Sequence, residues 1–350
     1  MTSLITTSTT SQSAIVASRP LPAALCAIAG LGHYLPDRII TNDELAQTVD
    51  TSDQWIMERT GISGRRCAAP EEATSDMAHR AALEAMADAG VTAEDLDLIL
   101  LATSTPDTPV PSTACYLQAR LGCGGVPAMD IAAGCSGFGF ALQMAAASVK
   151  SGLHRTVLVV GADTLTRITN YADRQSCILF GDGAGAAVVA PTGRFDVIYS
   201  SIGSDGSGTG MIRVRAGGSR TPASLDSVAT AGHTLELHGR EVFKAAVLRM
   251  SDCIRKAASA IGVRPGDFDL VIPHQANARI IEAVGRQLDV PPERLLSDIR
   301  ETGNTAAASI PIALGRADRA SPLAPGKLVC IVGFGAGLAW ACQVLLVRDR

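Results

Sequence analysis

The chain has 350 residues, 47% hydrophobic and 18% charged, with a formal net charge of −4. That balance excludes a disordered polymer and gives no support to a nucleic-acid partner. No apolar run reaches the roughly 18 residues of a membrane span, and the length corresponds to about two domain-sized units with a large core.

The nine cysteines are an odd number, scattered, with no CxxC and no zinc-like Cys/His spacing. They read as small core residues of a protein in a reducing cytoplasm, with no metal site. Residues 1–22 are rich in Ser and Thr, lack acidic residues and carry only Arg19. No basic start precedes an apolar core, so a disordered tail is expected there rather than a secretory signal; the Ser/Thr bias also fits an organelle transit peptide, which a single arginine supports only thinly.

Beyond the tail, AALEAMADAGVTAEDLDLILLATST (81–105) reads as a helix, a turn and a buried strand. MDIAAGCSGFGFALQMAAA (129–147) places Asp-Ile, a glycine and a cysteine before a small-residue helix. HRTVLVVGADTL (154–165) is a strand entering a glycine-containing loop. The same three units then return. CIRKAASAIGVRPGDFDLVIPHQAN (253–277), SDIRETGNTAAASIPIALG (297–315) and GKLVCIVGFGAG (326–337) repeat the order. This self-similarity predicts a duplicated domain, with a tail over 1–22, a first half over 23–190 and a second over 191–350. Alternating strands and helices predict mostly parallel sheets covered by helices. In this pairing Cys135 and Asn304 are expected at matching places, with His274 at the end of a second-half strand.

Three polar residues then stand out. Cys135 lies in GCSGF at a predicted loop-to-helix junction, where backbone N–H groups and the helix dipole favour a thiolate. The other eight cysteines lack this setting. His274 ends an apolar strand in VIPHQAN. Taken alone it reads as a satisfied core histidine, and Asn304, in GNTAAASIP, reads as a helix cap. Together the three form a kit for thioester chemistry: a thiol to take an acyl group, and neutral donors to hold a developing enolate. An amide at 304 donates to that enolate, whereas a carboxylate would repel it. GFGAG (333–337) lacks the Lys and Ser/Thr of a phosphate-binding loop, and FGDGAGAAVV lacks GxGxxG spacing, so dinucleotide binding is rejected.

These three segments, with FGDGAGA (180–186) and GFGAGLAW (333–340), resemble the β-ketoacyl-acyl carrier protein synthase III family of thiolase-fold condensing enzymes. The resemblance runs from about Ala27 to the C-terminus. It implies a homodimeric, five-layered α/β/α/β/α thiolase-like fold. It also implies decarboxylative condensation of an acyl-CoA primer with malonyl-acyl carrier protein through an acyl-Cys135 intermediate. His274 and Asn304 would hold the malonyl thioester oxygen, and the backbone N–H groups of Cys135 and Ala336 would form an oxyanion hole. TSDQWIMERTGI (51–62) matches the family's coenzyme A entrance, which assigns Trp55 and Arg59 to the adenine, with Thr51 nearby. Arg174 matches a second arginine of that site, and Asn277 a residue bonding the pantetheine arm. Phe180 belongs near the acyl pocket. Lys244 and Arg279 match positions that dock the acidic carrier protein. Relatives close the acyl pocket with a Phe from the partner subunit; Val110 stands there in STPDTPVPSTA, which implies room for a longer or branched primer. No resident cofactor is implied, since coenzyme A and phosphopantetheine arrive as parts of substrates.

Three rival readings differ in class. One is a specialised ketosynthase or acyltransferase of polyketide, biotin or signal biosynthesis. Another is a cysteine hydrolase, since the order Cys, His, Asn fits the papain-like pattern; C-G-[SA]-C-[WY] is absent, however, and the duplicated pattern is foreign to that fold. A non-catalytic carrier-binding scaffold is disfavoured by the intact trio.

Overall fold

The computed structural model describes residues 20–349, so most of the tail predicted over 1–22 lies outside the described residues. Up to residue 190 the order is β1 (Cys26–Tyr34), β2 (Arg38–Thr41), α1 (Asn42–Ala46), α2 (Asp53–Thr60), β3 (Gly64–Cys67), α3 (Thr74–Ala89), β4 (Leu98–Ala102), α4 (Thr113–Leu121), β5 (Ala128–Ile131), α5 (Gly137–Ser151), β6 (Val157–Thr164) and β7 (Asp182–Ala190). Then follow β8 (Phe195–Ser204), β9 (Ile212–Val214), α6 (Leu225–Ala229), β10 (Leu235–Leu237), α7 (Gly239–Ile261), β11 (Leu270–Pro273), α8 (Ala278–Leu288), α9 (Ser309–Ala320), β12 (Leu328–Gly335) and β13 (Ala339–Val347).

Among the described residues nine strands join in the order β11-β12-β13-β8-β1-β7-β6-β4-β5. Outward from the antiparallel β1–β8 pair, both sides repeat one pattern. On one side β7 and β6 add antiparallel, then β4 parallel; on the other, β13 and β12 add antiparallel, then β11 parallel. Where β5 lies parallel beside β4, the other side has a single parallel bridge between Val271 and Leu295. The sheet is therefore mixed, not mostly parallel as the sequence pattern predicted. Helical crossovers make only the outer strands parallel. The three residues between β12 and β13 allow nothing but a hairpin.

Strand alternation explains the layers. In β4, Leu98 and Leu100 face one cluster while Ile99 and Leu101 face another, so both faces are buried. The first cluster is the middle of the molecule, where Phe138 and Leu142 of α5 and Ile310 and Leu314 of α9 pack between strands of both sides. Met77, Ala81 and Leu117 of α3 and α4 cover one outer face, and Ile254, Ile261 and Val284 of α7 and α8 cover the other. The result is five layers with α5 and α9 in the centre. Fully burying one such Leu or Ile is worth about 1.5–3 kcal/mol.

Each central helix starts with a 3-10 turn, Gly134–Ser136 before α5 and Ala306–Ala308 before α9. Both turns begin in the left-handed region, Gly134 at φ 53 and Ala306 at φ 44. By this register the counterpart of Cys135 is Ala307. The expected match of Cys135 with Asn304 is thus corrected: Asn304 precedes the turn rather than sitting within it. Sequence similarity of GCSG and GNTA misaligned the pair because Ala306, not Gly303, takes the place of Gly134.

Candidate active site

The starts of α5 and α9, the end of β11 and the β12–β13 hairpin converge on one cavity of about 640 Å³. Cys135, His274, Asn304 and Ala336 all line it, so residues separated by half the chain share one space. Cys135 is partly exposed and lines the cavity, with protein packed densely around it. Burial first, and the nearby Asp163 carboxylate second, push its thiol up to about 12. The positive end of α5 works against both. The sequence expectation of a favoured thiolate left out this burial and Asp163.

The hairpin backbone lies flush against Cys135. A Cβ at Gly335 would stand 2.6 Å from the Cys135 amide nitrogen, and one at Gly134 would stand 2.9 Å from the Ala336 nitrogen. Glycine at both places brings the amides of Cys135 and Ala336 together.

His274 is 2% exposed, held by its N–H to the Val332 carbonyl at 2.7 Å. Burial drives its pKa down to about 3, so the ring is neutral at physiological pH. Its Nδ1 lies 2.7 Å from Ser309 Oγ, and that same oxygen accepts from the Gln275 N–H at 3.4 Å. Ser309 Oγ has two acceptor sites, so either tautomer keeps both contacts; the one that turns an N–H toward the cavity has the Ser309 hydroxyl donating to Nδ1. The ring proton then sits on Nε2, the remaining polar atom for the cavity. Asn304 is oriented similarly. Its Oδ1 accepts from the Ala306 N–H at 2.9 Å, leaving its NH₂ as the free end of the amide. Its backbone pairs with the Phe180 segment through Asn304 N to Leu179 O at 2.9 Å and Gly181 N to Asn304 O at 3.0 Å. The capping contact and an inward-facing donor are one arrangement.

At the mouth, Ser52 caps α2 by accepting from the Trp55 N–H at 3.2 Å. The Arg59 and Arg174 guanidinium carbons lie 4.1 and 4.9 Å from the Trp55 ring centroid. All three line the cavity, as do Arg279 and Asn277. Asn277 ties α8 to α2, donating from Nδ2 to the Arg59 carbonyl at 3.1 Å and accepting on Oδ1 from the Arg279 N–H at 2.8 Å. Phe180 also lines the cavity, packed with Leu165 and Ala306. Thr51, Lys244 and Val110 do not line it. Thr51 is half-buried before α2 and Lys244 is exposed on α7. Val110 is 84% exposed on the surface before α4.

Sequence reasoning missed the wall made by β9, β10 and α7, including Leu235, Leu237 and Phe243, and two mouth arginines, Arg213 and Arg240. The alternation in Leu235-Glu236-Leu237 was the available signal. Ser309 and Asp163 were missed as well; nothing in their local sequence marks them. Among the described residues no group of three or more His, Cys, Asp or Glu is placed to hold a metal, and no helix is long and apolar enough to cross a membrane.

The family model for 3-oxoacyl-[acyl-carrier-protein] synthase III matches residues 129–206, and the model of that enzyme's C-terminal part matches residues 258–347. The chain is 47% identical over 319 residues to the β-ketoacyl-[acyl-carrier-protein] synthase III of Caldanaerobacter subterraneus, covering 91% of this chain and 96% of the relative. The crystal structure of 3-oxoacyl-[acyl-carrier-protein] synthase III from Aquifex aeolicus superposes with a TM-score of 0.84 at 42% identity, covering 92% of this chain and 99% of that one. The priming β-ketosynthase of the R1128 polyketide pathway superposes with a TM-score of 0.85 at 36% identity, covering 95% and 98%.

Proposed function

The chain belongs to the 3-oxoacyl-[acyl-carrier-protein] synthase III family, and on that premise we propose how its cavity performs the family's reaction. It is an acyltransferase that condenses an acyl-CoA with malonyl-acyl carrier protein, the step that initiates fatty acid synthesis. Cys135 sulfur attacks the acyl-CoA carbonyl. The carbon–sulfur bond to coenzyme A breaks, and the proton lost by Cys135 ends on the coenzyme A thiol. Malonyl-acyl carrier protein then enters. Its carboxylate leaves as carbon dioxide, and the electron pair moves onto the thioester oxygen as an enolate. The Nε2–H of His274 and the amide of Asn304 hold that oxygen. The enolate carbon attacks acyl-Cys135, and the Cys135 and Ala336 amides hold the resulting oxyanion until the thiolate leaves.

The observation that carries this reading is the meeting of a thiol with two oriented neutral donors in one cavity. A His274 pKa near 3 makes the ring a poor proton acceptor and suits it to donating. Every electron pair moved belongs to a substrate or to Cys135, so the reading needs no metal or redox cofactor. Trp55, Arg59 and Arg174 receive the adenine and phosphates, with Thr51 behind them and Asn277 beside the pantetheine. Arg279 and Lys244 dock the acidic carrier. A cytoplasmic homodimer completes the reading, its nine free cysteines fitting a reducing compartment.

Intact-protein mass spectrometry after incubation with acyl-CoAs tests it. The wild type gains one acyl mass, mapped to Cys135, and Cys135→Ser gains none because a hydroxyl has a far higher pKa. Acylation of that variant at another cysteine sinks the assignment.

A further inference from the structure

Asp163 is a fully buried carboxylate for which the reaction above has no use. It lies near the end of β6, behind Cys135. Its Oδ1 accepts from the Ser104 N–H at 2.7 Å and from the Thr103 and Thr105 hydroxyls at 3.2 Å each. Its Oδ2 accepts from the Ala307 N–H at 3.0 Å. These four donors are neutral, an unusual shell for a buried acid. Burial pushes its pKa up to about 6 against them, which still leaves the carboxylate ionised at neutral pH.

The duplication explains the shell. Val160-Gly161-Ala162-Asp163 in β6 aligns with Val332-Gly333-Phe334-Gly335 in β12, and Cys135 aligns with Ala307. Gly335 faces the Cys135 amide, where even a Cβ would stand 2.6 Å from the nitrogen. Asp163, at the aligned place, reaches the Ala307 amide through its carboxylate, with Oδ2 at 3.0 Å. The molecule therefore has two equivalent amide positions, one beside a glycine and one capped by its own carboxylate. The capped amide adjoins Ala306, whose N–H fixes the Asn304 side chain.

We propose that Asp163 is a positioning residue for the enolate-stabilising turn, its carboxylate filling on the Ala307 amide the place that a substrate oxygen takes on the Cys135 amide. The proposal rests on the reaction assigned above. Asp163 holds Ala307, Ala307 sets Ala306, and Ala306 aims Asn304. The same charge opposes ionisation of Cys135, so the enzyme gains a fixed Asn304 at the expense of thiolate.

The test is Asp163→Asn, with the two half-reactions measured separately beside the wild type. An amide at 163 keeps an acceptor for Ser104 but turns an N–H toward the Ala307 N–H. Decarboxylation of malonyl-acyl carrier protein is expected to fall roughly tenfold to a hundredfold, the scale of a misplaced oxyanion donor. Cys135 acylation at neutral pH is expected to hold or rise, with its pH profile displaced to lower pH. Asp163→Gly, assayed with added formate, is expected to recover decarboxylation and melting temperature in a saturable manner. Equal loss in both half-reactions, wild-type decarboxylation in Asp163→Asn, or no response of Asp163→Gly to formate overturns the proposal. So does failure of both variants to fold with formate present, since the role then lies in the fold alone. A wild type that cannot decarboxylate malonyl-acyl carrier protein would fail the assigned reaction instead, before any variant is compared.

Discussion

The starts of α5 and α9 are the same structure with opposite chemistry. Each is a 3-10 turn entered through a left-handed residue, in the central layer, against the end of an equivalent strand. On the first side the turn carries Cys135 with glycine facing its amide. On the second side the turn carries Ala307 with Asp163 facing its amide. The neighbouring strand ends diverge too. Ala102 pairs with Gly161 in the first half, whereas the second-half strand pairs Pro273 with Val332 and then delivers His274 opposite Gly333. One frame, used twice, thus holds Cys135 on one side of the cavity and His274 and Asn304 on the other. The difference comes from a handful of substitutions at equivalent places rather than from a change of fold.

The sharpest way to break this comparison is to separate the half-reactions. His274→Ala and Asn304→Ala are each expected to reduce decarboxylation of malonyl-acyl carrier protein by roughly a hundredfold or more, the cost of one oxyanion donor. Both are expected to keep self-acylation of Cys135, because a ring with a pKa near 3 was not supplying a base. Acylation in wild type and variants should rise as pH increases through neutrality. The thiol is pushed up, so its ionised fraction is small and grows with each pH unit. Quench-flow acylation and carbon dioxide release measure the two steps. Variants that decarboxylate normally but fail to acylate would reverse the division between the halves.

The repeated units, and the segments that bring Cys135, His274 and Asn304 to one cavity with Trp55 and Arg59 at its mouth, were visible in the sequence because each depends on local pattern or a short motif. LILLA in β4 is apolar without interruption because both faces are covered, and that survives in any reading frame of the fold. The mixed sheet was not legible, since strand direction is decided by which connection is a hairpin and which a crossover. The true partner of Cys135 was hidden as well. Ala306 takes a left-handed backbone that sequence statistics assign to glycine, which shifted the register toward Gly303. Asp163 and Ser309 look like an ordinary strand end and an ordinary helix start. Their roles arise only from partners 144 and 35 residues away.

A smaller effect probes how the second half aims its histidine. Gly137 begins α5 where Ser309 begins α9, so the hydroxyl belongs to one side alone. Ser309→Ala removes the hydroxyl that holds His274 Nδ1 at 2.7 Å, the partner that sets the tautomer in the proposed reaction. Decarboxylation is expected to fall about tenfold, the scale of one net hydrogen bond, while acylation is kept. Nitrogen-15 NMR of labelled His274 provides the direct check, with Nε2–H predominant in the wild type and a mixture in the variant. An unchanged tautomer in Ser309→Ala would remove Ser309 from the account and leave the comparison resting on Asp163 and Gly335.

The smallest expected effect asks whether two halves of one chain suffice, or whether a second copy finishes the site. Val110 is 84% exposed and lies outside its own chain's cavity, so Val110→Phe meets no steric resistance within the chain and should leave its melting temperature nearly unchanged. If a partner copy inserts this residue at the acyl end, the larger ring removes space for a few methylenes. Each lost methylene contact is worth about 0.8 kcal/mol, roughly fourfold in preference. Competition of acetyl-CoA against butyryl-, isobutyryl- and octanoyl-CoA should then show the longer and branched primers declining severalfold per carbon in Val110→Phe, with acetyl transfer preserved. An unchanged ratio would mean that the acyl end is closed by this chain's own wall of Phe180, Leu235 and Leu237, and that the two-sided frame is complete without a partner's side chain.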